Sequence, residues 1–71
     1  MEDFEAMVCD LVAEALPGTD DYSTLWYSGT LFLGANQEEA IAVFLKLTDY
    51  FGIDGVILSK VTQCEYAFDI V

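Results

Sequence analysis

Hydrophobic positions recur along this chain with two periods, and the switches between them mark out six elements. Residues 2–16 carry Phe4, Val8, Leu11 and Ala15 at i, i+4, i+7 and i+11, with Val12 beside them, which is helical spacing. Pro17-Gly18 stops that helix and Thr19-Asp20-Asp21 continues as a turn. Residues 23–33 are rich in strand formers. Ser28-Gly29, between Leu25-Trp26-Tyr27 and Thr30-Leu31-Phe32-Leu33, reads either as a tight hairpin or as a glycine bulge in one long strand. Asn36 caps a second helix with Glu39 at capping-box spacing, and Gly52 ends it. That helix is apolar over more than half its circumference, so it is either covered on two sides or presents a surface to a partner.

Asp54-Gly55 turns the chain into an apolar strand, Val56 to Val61, and Thr62-Gln63 reads as the next turn. In the last strand, Cys64 to Val71, the side chains of Cys64, Tyr66, Phe68 and Ile70 alternate with Glu65, Ala67 and Asp69. The order α-β-β-α-β-β predicts an α+β fold: a single small domain, residues 1–71, with two helices packed on one face of an antiparallel sheet. Gly18-Thr19-Asp20 and Gly52-Ile53-Asp54 recur at an offset of 34 residues, consistent with an old duplication or with ordinary turn chemistry after two helices.

Charge changes the picture. Thirteen acids against two lysines, with no arginine or histidine, give a net charge of −11 in 71 residues. An average chain of this length has about eight or nine basic residues. The acids have local reasons: Glu2, Asp3 and Glu5 fall in the first turn of helix one, Glu38 and Glu39 in that of helix two, and Asp20, Asp21 and Asp54 in turns. The missing bases are the signal. They exclude a non-specific nucleic-acid binder and argue against a contact with anionic membrane. Ten aromatic residues and 55% apolar composition argue against acidic disorder. Three readings of the imbalance stand: a surface that mimics a polyanion, a coat suited to high salt, and simple solubility. The strong apolar content disfavours the second.

The first sixteen residues lack a positive n-region and are interrupted by Asp10 and Glu14, so they do not read as a signal peptide, and cytoplasmic residence is expected. Cys9 and Cys64 have no histidine or third cysteine to join, so neither a zinc site nor a CxxC pair is available; both are expected as free thiols filling or bordering the core. Ser23, Ser28 and Ser59 lack a histidine base, and the glycines form no phosphate-binding motif. Asp20, Asp21 and Asp54 lack the ligand spacing of a calcium loop. No catalytic role, metal or cofactor is therefore assigned.

The candidate chemistry is partner binding. At 100° per residue, Asp3, Asp10 and Glu14 lie within about 40° of one another on the first helix. Glu65 and Asp69 occupy the polar face of the last strand, and Asp20 and Asp21 add turn carboxylates. Among the aromatics Tyr22, Trp26, Tyr27, Tyr50 and Phe51, most are expected in the core and one or two exposed; Trp26 and Tyr27 complete the candidate partner-binding set.

In size, sign of charge and lack of catalytic apparatus, the chain resembles small phage-encoded inhibitors of bacterial defence, among them anti-CRISPR and anti-restriction proteins that imitate DNA. The resemblance is one of composition, carried by −11 over 71 residues and the Asp3, Asp10, Glu14 row. It implies a stoichiometric inhibitor that occupies the basic nucleic-acid-binding surface of a host nuclease or CRISPR or restriction complex, in the host cytoplasm. The alternative is a homodimeric assembly module, pairing through the apolar second helix or an open sheet edge, whose acids serve solubility.

Overall fold

A computed structural model describes residues 3–18 and 21–71. Its elements run α1 (Phe4–Ala15), β1 (Ser23–Tyr27), β2 (Thr30–Gly34), α2 (Gln37–Phe51), β3 (Val56–Thr62) and β4 (Glu65–Ile70). The α-β-β-α-β-β order and the α+β class are as the sequence predicts. The four strands form one antiparallel sheet in the order β1-β2-β4-β3, so the two hairpins meet through their second strands.

Proline sets the end of α1. Its ring forces the preceding residue out of helical geometry, and Leu16 sits at φ −123, ψ 58 with its N–H still bonded to Val12 and Ala13 carbonyls. At the other end Asp3 is the N-cap rather than a first-turn residue, and its side chain makes no capping hydrogen bond. The helix is therefore shorter than the expected 2–16, with Glu5 its first-turn acid and Glu2 outside the described residues. The second helix carries the full reciprocal cap: Glu39 N–H donates to Asn36 Oδ1 at 2.8 Å and Asn36 N–H donates to Glu39 Oε1 at 3.1 Å. Gly52, at φ 95, ends it.

Ser28-Gly29 resolves as a two-residue hairpin. Both residues have positive φ, 54 and 81, the pairing a type I′ turn requires to match strand twist. The second hairpin departs from expectation. A bulge between Lys60 and Thr62 gives β3 one extra residue, and the turn moves on to Gln63-Cys64. Cys64 is thus an exposed turn residue, not the first core-facing position of β4, and the expectation that it borders the core is corrected. Cys9 is half-buried beside the core, and both thiols are free.

The same bulge reconciles the chain's two offsets. Gly18 and Gly52, 34 apart, both take positive φ after a helix, whereas Thr30 and Gly34 correspond to Glu65 and Asp69, 35 apart. The register relates the two hairpins by an approximate two-fold centred on the Phe32–Ala67 pair, with Thr30 opposite Asp69 at one end and Gly34 opposite Glu65 at the other.

The core lies between the helices and one sheet face. Val8 and Val12 of α1, Val43 and Leu47 of α2, and Leu31, Leu33 and Phe68 of the sheet are all fully buried. Each such side chain contributes roughly 1.5–3 kcal/mol through removal from water. Trp26, Tyr22, Phe51, Leu58 and Ile70 pack partly buried around them. Trp26 lies beneath α1, its ring 6.3 Å from Phe4 and its Nε1 donating to Cys9 Sγ at 3.5 Å. Tyr27 and Tyr50 are the exposed members of the aromatic set expected mainly in the core.

Candidate interaction surface

Strand pleat and register decide what the opposite sheet face carries. Alternate side chains leave the sheet on opposite sides, so the partners of the core-facing Leu31, Leu33, Tyr66 and Phe68, which are Trp26, Thr24, Lys60 and Leu58, lie on the helix side. The intervening positions form three cross-strand rows on the face that no helix covers. Leu25, Phe32, Ala67 and Ser59 make the middle row. Tyr27, Thr30, Asp69 and Ile57 lie to one side; Ser23, Gly34, Glu65 and Thr62 lie to the other. Leu25, Tyr27 and Ile57 are 64%, 70% and 52% exposed, the first two on β1 and the third on β3, at opposite edges of the sheet. Ala67 is buried without belonging to the central core cluster; its own row shelters it.

Two carboxylates border this apolar row. Thr30 Oγ1 donates to Asp69 Oδ1 at 2.6 Å, which fixes the carboxylate beside the row. Glu65, four residues back on β4, stands about 13 Å away along the strand. Neither lysine is on this side. Lys60 pairs with core-facing Tyr66 and lines a cleft with Gln37, Ala40 and Ile41 of α2, and Lys46 on α2 is bonded to Glu14 at 3.1 Å.

The predicted acidic residues are therefore divided between two sides. Asp3, Asp10 and Glu14 are all exposed on α1 in the helix layer, where Lys46 partly neutralises the Glu14 end of their row. Glu65 and Asp69 project from the far face of the sheet, so the two groups do not form one continuous surface. Asp21 is exposed at the entry to β1, and Asp20 lies outside the described residues. Tyr27 stands on the helix-free face beside Asp69, whereas Trp26 is turned under α1 and is half-buried.

Sequence reasoning did not single out Leu25, Phe32, Ala67, Ile57 or Thr30. The run Thr30-Leu31-Phe32-Leu33 is almost continuously apolar, so its alternation is hidden. A hairpin centred on Ser28-Gly29 implies the Leu25–Phe32 pair, but the Phe32–Ala67 and Thr30–Asp69 pairs need the long-range register of β2 with β4.

The cleft between α2 and the sheet has a volume of about 260 Å³ and is lined by Gln37, Ala40, Ile41, Leu58, Lys60 and Tyr66. Ligand pockets usually occupy about 300–1,000 Å³, so its size fits a side chain better than a cofactor. Among the described residues no three acids or thiols gather around a common metal position, and no helix is long and apolar enough to cross a membrane. Comparison with protein-family models, curated proteins and solved structures gave no match.

Proposed function

We propose that this chain is a non-catalytic inhibitor protein that binds a nucleic-acid-binding protein by presenting a negative surface to its basic site. A host nuclease or a CRISPR or restriction complex offers a surface of the right sign, reached in the cytoplasm, that of the host cell if the protein is phage-encoded. The carrying observation is the charge distribution: Asp3, Asp10 and Glu14 are exposed in the helix layer and Glu65 and Asp69 are half-buried on the other sheet face, while of only two lysines one is already paired with Glu14. Carboxylates in such excess attract lysine and arginine on another molecule, speed encounter, and lose strength as salt screens them. Exposed Leu25, Tyr27 and Ile57 supply apolar contact area that solubility alone does not require.

The test is capture from a bacterial lysate at low and high salt, with an Asp10→Lys, Glu14→Lys chain and a Glu65→Lys, Asp69→Lys chain alongside the wild type. A nucleic-acid-binding protein retained at low salt, released at high salt and missed by at least one reversed chain is the expected result. Recovery of only further copies of the chain, or no retention by any version, contradicts the proposal and favours a self-assembly module whose acids serve solubility.

A further inference from the structure

The helix-free face combines an apolar row with two carboxylates and no lysine or arginine, and that combination selects its occupant. We infer that this face docks a protein segment in which arginine or lysine alternates with aliphatic side chains, rather than a second copy of the chain. The inference rests on the reading of the chain as a binder of basic protein surfaces, and it names which side of the molecule does the binding.

The middle row runs from exposed Leu25 through half-buried Phe32 to the buried Ala67 and the exposed Ser59, so its open apolar surface lies over Leu25 and Phe32. Asp69 and Glu65 are each two residues from Ala67 on β4, roughly 6–7 Å along the strand. An arginine or lysine laid across Phe32 covers apolar surface with its methylenes and reaches either carboxylate with its charged head. Thr30 holds Asp69 with one hydrogen bond at 2.6 Å, while a carboxylate can accept about four, so acceptor capacity remains for an incoming donor. Alternation suits the occupant as well, since an extended segment presents every second side chain to one surface.

Charge argues against a second copy. Two such faces packed together would bring both Asp69 and both Glu65 carboxylates over apolar ground, and Lys46 and Lys60 belong to the helix side of each copy. Burying like charges without a cation is unfavourable, and −11 on each chain adds long-range repulsion.

The test is an NMR titration of the ¹⁵N-labelled full chain with two synthetic peptides of equal charge, one alternating arginine with leucine and one alternating arginine with serine. The arginine–leucine peptide is expected to shift the amides of Leu25, Phe32, Ala67 and Asp69 saturably, and to bind about tenfold tighter than the arginine–serine peptide. Asp69→Asn with Glu65→Gln, which leaves Thr30 an acceptor, is expected to weaken it by about tenfold while the spectrum stays folded. Shifts centred instead on Asp3, Asp10 and Glu14 overturn this inference and leave the broader reading standing. Failure of both peptides to bind overturns the inference but not capture of a folded basic partner, which the lysate experiment reads separately. Shifts of the same sheet-face amides on concentrating the chain alone show that a second copy is the occupant and overturn it too.

Discussion

Thr30 and Asp69 stand opposite each other on neighbouring central strands, and the threonine hydroxyl donates to the carboxylate at 2.6 Å on the face that no helix covers. The bond organises a charged group at a partly solvated surface; it does not hold up the core. Thr30→Val keeps the β-branched shape and removes the donor. Urea unfolding should therefore change by no more than about 3 kcal/mol, the upper range for a hydrogen bond to a charged group, and by less where valine's strand preference offsets it. Binding of the arginine–leucine peptide should weaken measurably in the same variant. A stability loss above about 3 kcal/mol would make the pair structural instead.

Asn36 and Asp3 occupy the same position in two helices but do different work. Asn36 makes both bonds of the reciprocal cap, and Asp3 makes none with its side chain. Asn36→Ala should cost about 0.5–2 kcal/mol. For a domain this small, each kcal/mol lowers Tm by about 4–8 °C. Asp3→Ala should cost less than Asn36→Ala in the same thermal melts, because it loses only a favourable charge near the helix terminus.

Thiol reactivity reports the shifted second turn. Cys64 is exposed at Gln63-Cys64, whereas Cys9 is half-buried against Trp26. With an aromatic disulfide reagent, two thiols should titrate in the folded chain, Cys64 faster because Cys9 is partly screened by its packing against Trp26. In Cys64→Ser, modification of Cys9 should change the fluorescence of Trp26, the chain's single tryptophan. Equal rates would contradict the half-buried placement of Cys9.

Ser28 has φ 54, a region that side chains other than Asn, Asp and Gly enter with strain. Ser28→Asn gives the preferred Asn-Gly turn and should raise stability by about 0.5 kcal/mol, read by urea unfolding. Gly29→Val, at φ 81, should lower it.

Local chemistry made much of this fold legible. The Phe4–Ala15 spacing, the Pro17 stop, the Asn36–Glu39 cap and Gly52 each act within a few residues, and they mark the elements in one dimension. The bulge near Val61 carries no comparable mark, so the second turn is displaced by one residue and Cys64 leaves the core. The candidate surface was less legible than the fold. Helical spacing aligned Asp3, Asp10 and Glu14, and strand alternation aligned Glu65 with Asp69, but grouping the two sets needed the position of β4 relative to α1. The same holds for Lys46, whose pairing with Glu14 depends on how the helices dock. A single apolar run such as Thr30–Leu33 cannot disclose that Phe32 faces away from Leu31 and Leu33 until its neighbours are known.

The nucleic-acid-binding protein captured by this chain can be bound to a fluorescently labelled duplex and followed by anisotropy as the chain is added. The chain is expected to displace the duplex, saturating at one chain per binding site, with displacement weakening as salt rises. A chain that binds the same protein while the duplex stays bound would contradict occupation of the nucleic-acid surface.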